Sequence, residues 1–353
     1  MSVEWKAAAC KGDVAGRAMR TGVWFACAAG LLSGVAWAQK PPAPEPWPNP
    51  ASRLFAVPTR RDHIGQVIAP VRIDGKGPFR FLVDTGADGS VVSPRLVRAL
   101  GLVPEQSTNE RVEGTTGTQR LPWVLIERLQ IGNIEKRNLR VPVSSSPLLR
   151  GLDGILGMAG FGAVRVVIDF QHNRVIIDRS TAGSLQRFGY LDIPARRTPG
   201  GLLMIPGRVA NIRVTAVIDT GSEGTLGNEA LRRALLRAAT QRAKKAEIYG
   251  VTRQISPGGV AASPTLYLGP VGVRNFPIVY ADIPIFHDWH LDSRPALIVG
   301  MNVLGTVSTL VLDYPRAQVY LLPASSPRIS VGTCEIHIGS PLMDSGSDCA
   351  AGE

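Results

Sequence analysis

The middle of this chain is written twice, and whatever fold serves it must use the same unit two times. The segment Phe79-Arg80-Phe81-Leu82-Val83-Asp84-Thr85-Gly86-Ala87 returns 135 residues later as Val214-Thr215-Ala216-Val217-Ile218-Asp219-Thr220-Gly221-Ser222. Each copy reads as an apolar strand running into Asp-Thr-Gly. Each follows another predicted strand: Gln66 to Ile73 with a turn at Asp74-Gly75-Lys76-Gly77, and Leu202 to Ala210 with a turn around Asn211. A helix is expected after each, near Pro94 to Leu100 and Asn228 to Ala246. Gly114 follows Asp84 by 30 residues and Gly250 follows Asp219 by 31, both in stretches that read as hairpin tips. Gly154-Ile155-Leu156-Gly157-Met158 then matches Leu297-Ile298-Val299-Gly300-Met301. Val166 to Phe170 with the strand Arg174 to Ile177 matches Leu310 to Tyr314 with Gln318 to Leu321. Landmarks kept in one order make chance a poor account of the pattern.

Composition agrees with a turn-rich, strand-based chain. The 353 residues hold 38 Gly and 27 Pro, with 44% apolar residues, 6% aromatics and 19% charged residues, which excludes a fibrous or disordered polymer and a coiled coil. No apolar run reaches the ~20 residues of a membrane span. Arg17 and Arg20 precede an apolar stretch from Thr21 to Val35, and Ala36-Trp37-Ala38 supplies a small-x-small cleavage pattern, so residues 1–38 read as a signal peptide. The expected location is therefore outside the cytoplasm, periplasmic or secreted. A Pro-rich linker is assigned to 39–58, two lobes to 59–185 and 186–323, and a tail to 324–353.

Net charge is +11, and removal of residues 1–38 leaves 35 basic against 26 acidic residues, or +9. An exported basic protein does not meet chromosomal DNA, so no nucleic-acid role is expected, and the charge would face an anionic cell-envelope polymer if it faces anything. Cleavage also removes Cys10 and Cys27, leaving Cys334 and Cys349 to form one disulfide in the tail or to remain two free thiols. With no Cys-x-x-Cys and no clustered Cys/His set, neither a metal nor a cofactor is expected.

The chemistry rests on the doubled Asp-Thr-Gly. The aspartate places a carboxylate at a strand end, the glycine permits a tight turn and offers its N–H, and the threonine can bond across a near-twofold axis. If the loops face each other, Asp84 and Asp219 lie within hydrogen-bond reach, cannot both be ionised, and share one proton. Such a pair can activate a water against a peptide carbonyl without a covalent intermediate.

These segments resemble the aspartic proteases of the pepsin and retropepsin type, as a bacterial tandem retropepsin-like protein. Phe81 to Asp88 is similar to the retropepsin form of the motif, and Asp219 to Ser222 to the pepsin form. Leu156-Gly157 and Val299-Gly300 resemble the family's hydrophobic-hydrophobic-Gly segment. The resemblance implies a mostly β fold of two pseudo-twofold-related acid-protease-type β-barrel lobes with a central cleft, in a monomer acting on polypeptide. It implies Asp84 and Asp219 as catalytic residues, with Thr85, Gly86, Thr220 and Gly221 supporting their loops, and Gly114 and Gly250 in flap-like hairpins. The tyrosine that pepsin-like enzymes carry in the amino-terminal flap is missing near Gly114, while Tyr249 lies in the other hairpin. The other reading left open is a catalytically silent duplicated scaffold serving as a periplasmic peptide- or protein-binding module.

Three further motifs are set aside. His287-Asp288-Trp289-His290 has metal-ligand residue types, but Pro284 and Pro295 suggest a rim loop. Gly157 to Gly162 looks like a nucleotide loop only until Gly300 to Gly305 is seen in the same repeat slot. The basic residues Arg232, Arg233, Arg237, Arg242, Lys244 and Lys245 read as a solvated helix face.

Overall fold

Val67–Ile73 is a β-branched run that reaches solvent only at Pro70 and Arg72, so its inward face is continuous and apolar. It turns back antiparallel into the strand Lys76–Asp84 with Asp74 at φ 50° and Gly75 at φ 80°, the left-handed pair that Asp-Gly supplies most readily in a two-residue hairpin. That strand then runs parallel to Gly154–Gly157, which pairs antiparallel with Val91–Val92. The second half repeats the arrangement. Leu203–Val209 pairs antiparallel with Ile212–Ile218, which runs parallel to Ala296–Val299, which pairs antiparallel with Thr225–Gly227.

The computed structural model describes residues 53–324 apart from 59, 62–65, 133, 159–160, 162–163, 181–184, 186–187, 199 and 237–243. Residues 1–38, which read as a signal peptide, the expected linker as far as Ser52, Arg237, Arg242, and the tail with Cys334 and Cys349 lie outside the described residues.

The fold is mostly β, in two pseudo-twofold-related lobes of acid-protease type. A six-stranded sheet joins them, three strands from each half. At its centre Val164–Asp169 pairs antiparallel with Val307–Asp313, Val167 facing Val311. An ion pair crosses this seam: Arg165 Nε lies 3.2 Å from Asp313 Oδ2, both side chains being nearly sealed from solvent. Ser180 Oγ donates to the same oxygen at 2.8 Å, so the buried carboxylate is held from two sides.

The structure corrects three expectations. The last residues of the assigned linker, Arg53–Pro58, form an edge strand antiparallel to Arg174–Arg179. The apolar Leu54-Phe55-Ala56-Val57 outweighs the proline-rich run before it, and an edge strand tolerates Pro58. The second helix is described over Glu229–Leu236, and Lys244 and Lys245 belong not to it but to the strand Lys244–Tyr249. Pro284–Asp288 is a single helical turn and not a loop, because proline at the first helical position starts a helix. His287 Nδ1 stands 3.6 Å from Asp292 Oδ2 in an exposed pair, and the described residues contain no group of three or more His, Cys, Asp or Glu able to hold a metal.

Candidate active site

Each Asp-Thr-Gly sits where its strand leaves the barrel. Phe81, Leu82 and Val83 are buried beside Gly154, Ile155 and Leu156, and Asp84 pairs with Gly157. Gly157 must be glycine, since a Cβ there would overlap the Gly89 backbone; Gly300 meets the Gly224 backbone in the same way. Gly157 N–H donates to Ser90 Oγ and Gly300 N–H to Thr225 Oγ1, both at 3.2 Å. The threading of one loop beneath another is thus fixed identically in both halves. Ser93 and Asn228 cap the helices that follow, accepting from the N–H groups of Leu96 and Leu231.

The two loops meet. Thr85 N–H donates to Thr220 Oγ1 at 3.2 Å, and Thr220 N–H to Thr85 Oγ1 at 3.1 Å. Each threonine hydroxyl donates in turn to a carbonyl of the opposite strand: Thr85 to Ile218 at 3.0 Å, Thr220 to Val83 at 2.8 Å. These four bonds are reciprocal and buried, so neither loop can shift without breaking the other.

The threonine lock brings the carboxyls of Asp84 and Asp219 into a shared hydrogen bond. Asp84 Oδ1 accepts from Gly86 N–H at 2.8 Å; Asp219 Oδ1 accepts from Gly221 N–H at 2.8 Å and Ser222 N–H at 3.2 Å. Enclosure, then the Asp219 charge and the bond between them, push Asp84 well above the usual carboxylate range. Enclosure raises Asp219 too, against the opposing N–H bonds and the Asp84 bond. The pair therefore keeps one proton at pH values where separate aspartates have lost theirs. Gly86 and Gly221 lie against the opposite carboxyl: a Cβ on Gly86 would come within 2.6 Å of Asp219 Oδ1, and one on Gly221 would overlap Asp84.

The family model for aspartyl protease matches residues 69–159, about a quarter of the chain. That stretch is similar to an aspartyl protease-like domain of the retropepsin type. No curated protein matches the chain. The matched stretch carries Asp84, Thr85, Gly86 and Gly114, whereas Asp219, Thr220, Gly221 and Gly250 lie beyond it.

Gly114 and Gly250 lie at the tips of two hairpins, Glu105–Gly114 with Gly117–Ile131 and Lys244–Tyr249 with Ile255–Ala262. The tips touch. Thr116 Oγ1 and Thr252 Oγ1 are 3.1 Å apart and buried, Arg253 N–H donates to Gln119 Oε1 at 3.2 Å, and a Cβ on Gly114 would press on Val251 at 2.8 Å. Tyr249 is turned away, its hydroxyl bonded to Glu247 Oε2 at 2.8 Å in an exposed contact.

Sequence reasoning missed what holds the second hairpin. Ser144 Oγ donates to the Val251 carbonyl at 2.6 Å and Ser146 Oγ to the Gly250 carbonyl at 2.7 Å. The matching positions of the other lobe carry no hydroxyl. Ser144 N–H bonds Val92 as Ala281 N–H bonds Gly227, and both segments then enter a short helix at a proline, so Ala281 and Ile283 occupy the slots of Ser144 and Ser146. The carboxy-terminal hairpin is pinned to the first lobe, and its partner is held through hairpin-to-hairpin contacts. Each hydroxyl contributes about 0.5–1.5 kcal/mol. Replacing both serines by alanine should speed amide exchange at residues 250–254 by roughly an order of magnitude while leaving the barrel strands unchanged.

Proposed function

We propose that the chain is an aspartic endopeptidase in which the second half supplies the partner carboxyl that a retropepsin obtains by dimerising. The observation that carries this reading is the reciprocal threonine lock, which brings two carboxyls, one from each Asp-Thr-Gly loop, into one hydrogen bond. The match of the first half to an aspartyl protease family supports it.

In the proposed cycle the dyad starts with one proton, on Asp84. Water held between the carboxyls attacks the peptide carbonyl carbon; Asp219 takes a proton from the water as Asp84 gives its proton to the carbonyl oxygen. The resulting gem-diol collapses as the amide nitrogen receives the proton from Asp219 and the C–N bond breaks. A diol hydroxyl returns its proton to Asp84 as the new carboxyl forms. One water is consumed, a carboxyl and an amine are released, and the pair is again singly protonated. The hairpins serve as a cover that parts to admit an extended polypeptide. The amino-terminal signal pattern supports action outside the cytoplasm, on an extended or unfolded chain.

Incubation of the protein with an unfolded polypeptide, followed by mass spectrometry of the fragments, tests this reading. Internal cleavages at mildly acidic pH are expected. Tight binding with an intact polypeptide would instead favour a silent binding scaffold.

A further inference from the structure

The two halves are not equal around the dyad. Gln66, at the threshold of the strand Val67–Ile73, is 7% exposed, and its Nε2 donates to the Gly221 carbonyl of the opposite lobe at 3.0 Å. Strand register identifies its counterpart. Ile68 pairs with Leu82 and Met204 with Val217, each partner lying two residues before its aspartate, so Gln66 and Leu202 fill the same slot. Leu202 is buried and its side chain has no polar atom to offer the Gly86 carbonyl.

The carbonyl that Gln66 holds belongs to the peptide unit joining Gly221 to Ser222, and the N–H of that unit donates to Asp219 Oδ1 at 3.2 Å. A hydrogen bond to the oxygen of a peptide group orients its plane and makes its N–H a better donor. Gly221 also lies against the Asp84 carboxyl, so the anchored unit touches both members of the pair.

We infer that Gln66 is a positioning residue of the dyad: by anchoring the Gly221–Ser222 peptide from the opposite lobe it keeps Asp219 as the ionised partner and leaves the shared proton on Asp84. This rests on the endopeptidase reading and adds to it the source of the division of labour between two otherwise matched loops.

The test compares pH profiles of kcat and KM for wild type, Gln66→Leu and Gln66→Glu on one extended peptide. Gln66→Leu copies the side chain of the other half. Its acid limb is expected to move up by about 0.4–1 pH unit, with kcat falling about 2- to 13-fold and KM nearly constant, as loss of one hydrogen bond implies. Gln66→Glu can donate only while protonated, so it should match wild type at low pH and lose activity earlier as pH rises. If Gln66→Leu does not fold, the Glu variant alone carries the test, because its signature is a change of profile within one folded protein. Wild-type limbs and kcat in both variants would overturn the inference while the endopeptidase reading stands. Absence of Asp84-dependent hydrolysis in wild type would remove both.

Discussion

Asp84→Asn and Asp219→Asn proteins are each expected to fold and to lose about 10³-fold or more in kcat/KM, because either change removes the one-proton dyad that serves as acid and base together. An asparagine at either site can still accept the N–H of its own loop glycine through Oδ1, so the loop geometry has no reason to collapse. Stability should move the opposite way to activity. Both aspartates titrate above their usual range in the folded state, so folding disfavours their charged form. Below the ordinary aspartate range both states are protonated and the penalty is absent. It grows as pH rises from the unfolded value towards the folded one, and is fully present above. The neutral asparagine does not bear it. Each variant should therefore have a higher Tm than wild type at pH 7, with the difference shrinking towards pH 3. Thermal unfolding followed at both pH values, beside the activity assay, checks the two signs together.

Gly221→Ala is expected to lose most of the activity as well, by a purely steric route. The added methyl would occupy the space of the Asp84 carboxyl, and Gly86→Ala would do the same to Asp219. The neighbours cannot yield cheaply, since the reciprocal bonds of Thr85 and Thr220 tie both loops in place. The carboxyls must separate, and a displacement of about 1 Å in a catalytic group costs on the order of 10²-fold. Gly101→Ala is the control for glycine replacement as such: it lies in the left-handed region at φ 72° as a helix C-cap with open space around it, so it should cost some stability and no activity. A fully active Gly221→Ala protein would mean that the carboxyls are not packed across the loops as described.

The parts of this site that could be read along the chain are those carried by local pattern. An apolar strand ending in Asp-Thr-Gly, and a hydrophobic pair ending in a glycine that must pass beneath it, are short motifs whose physics lies within a few residues. The pairing of Thr116 with Thr252 was also legible in principle, since each stands two residues after its landmark glycine. Gln66, Ser144 and Ser146 were not, because their partners lie 155, 107 and 104 residues away, and nothing nearby distinguishes them from ordinary polar residues. The basic stretch after Asn228 misled for a related reason. Its Ala, Leu and Arg content favours a helix, but Lys244–Tyr249 gains a full ladder of bonds by pairing with Ile255–Val260, and tertiary pairing outweighs a weak local preference.

The most direct measurement is the pH dependence of kcat/KM on an extended peptide, wild type beside Asp84→Asn. Two carboxyls sharing one proton predict a bell whose limbs both belong to the pair, with the bell gone in the variant. Cleavage that persists in Asp84→Asn with the wild-type profile would contradict the account.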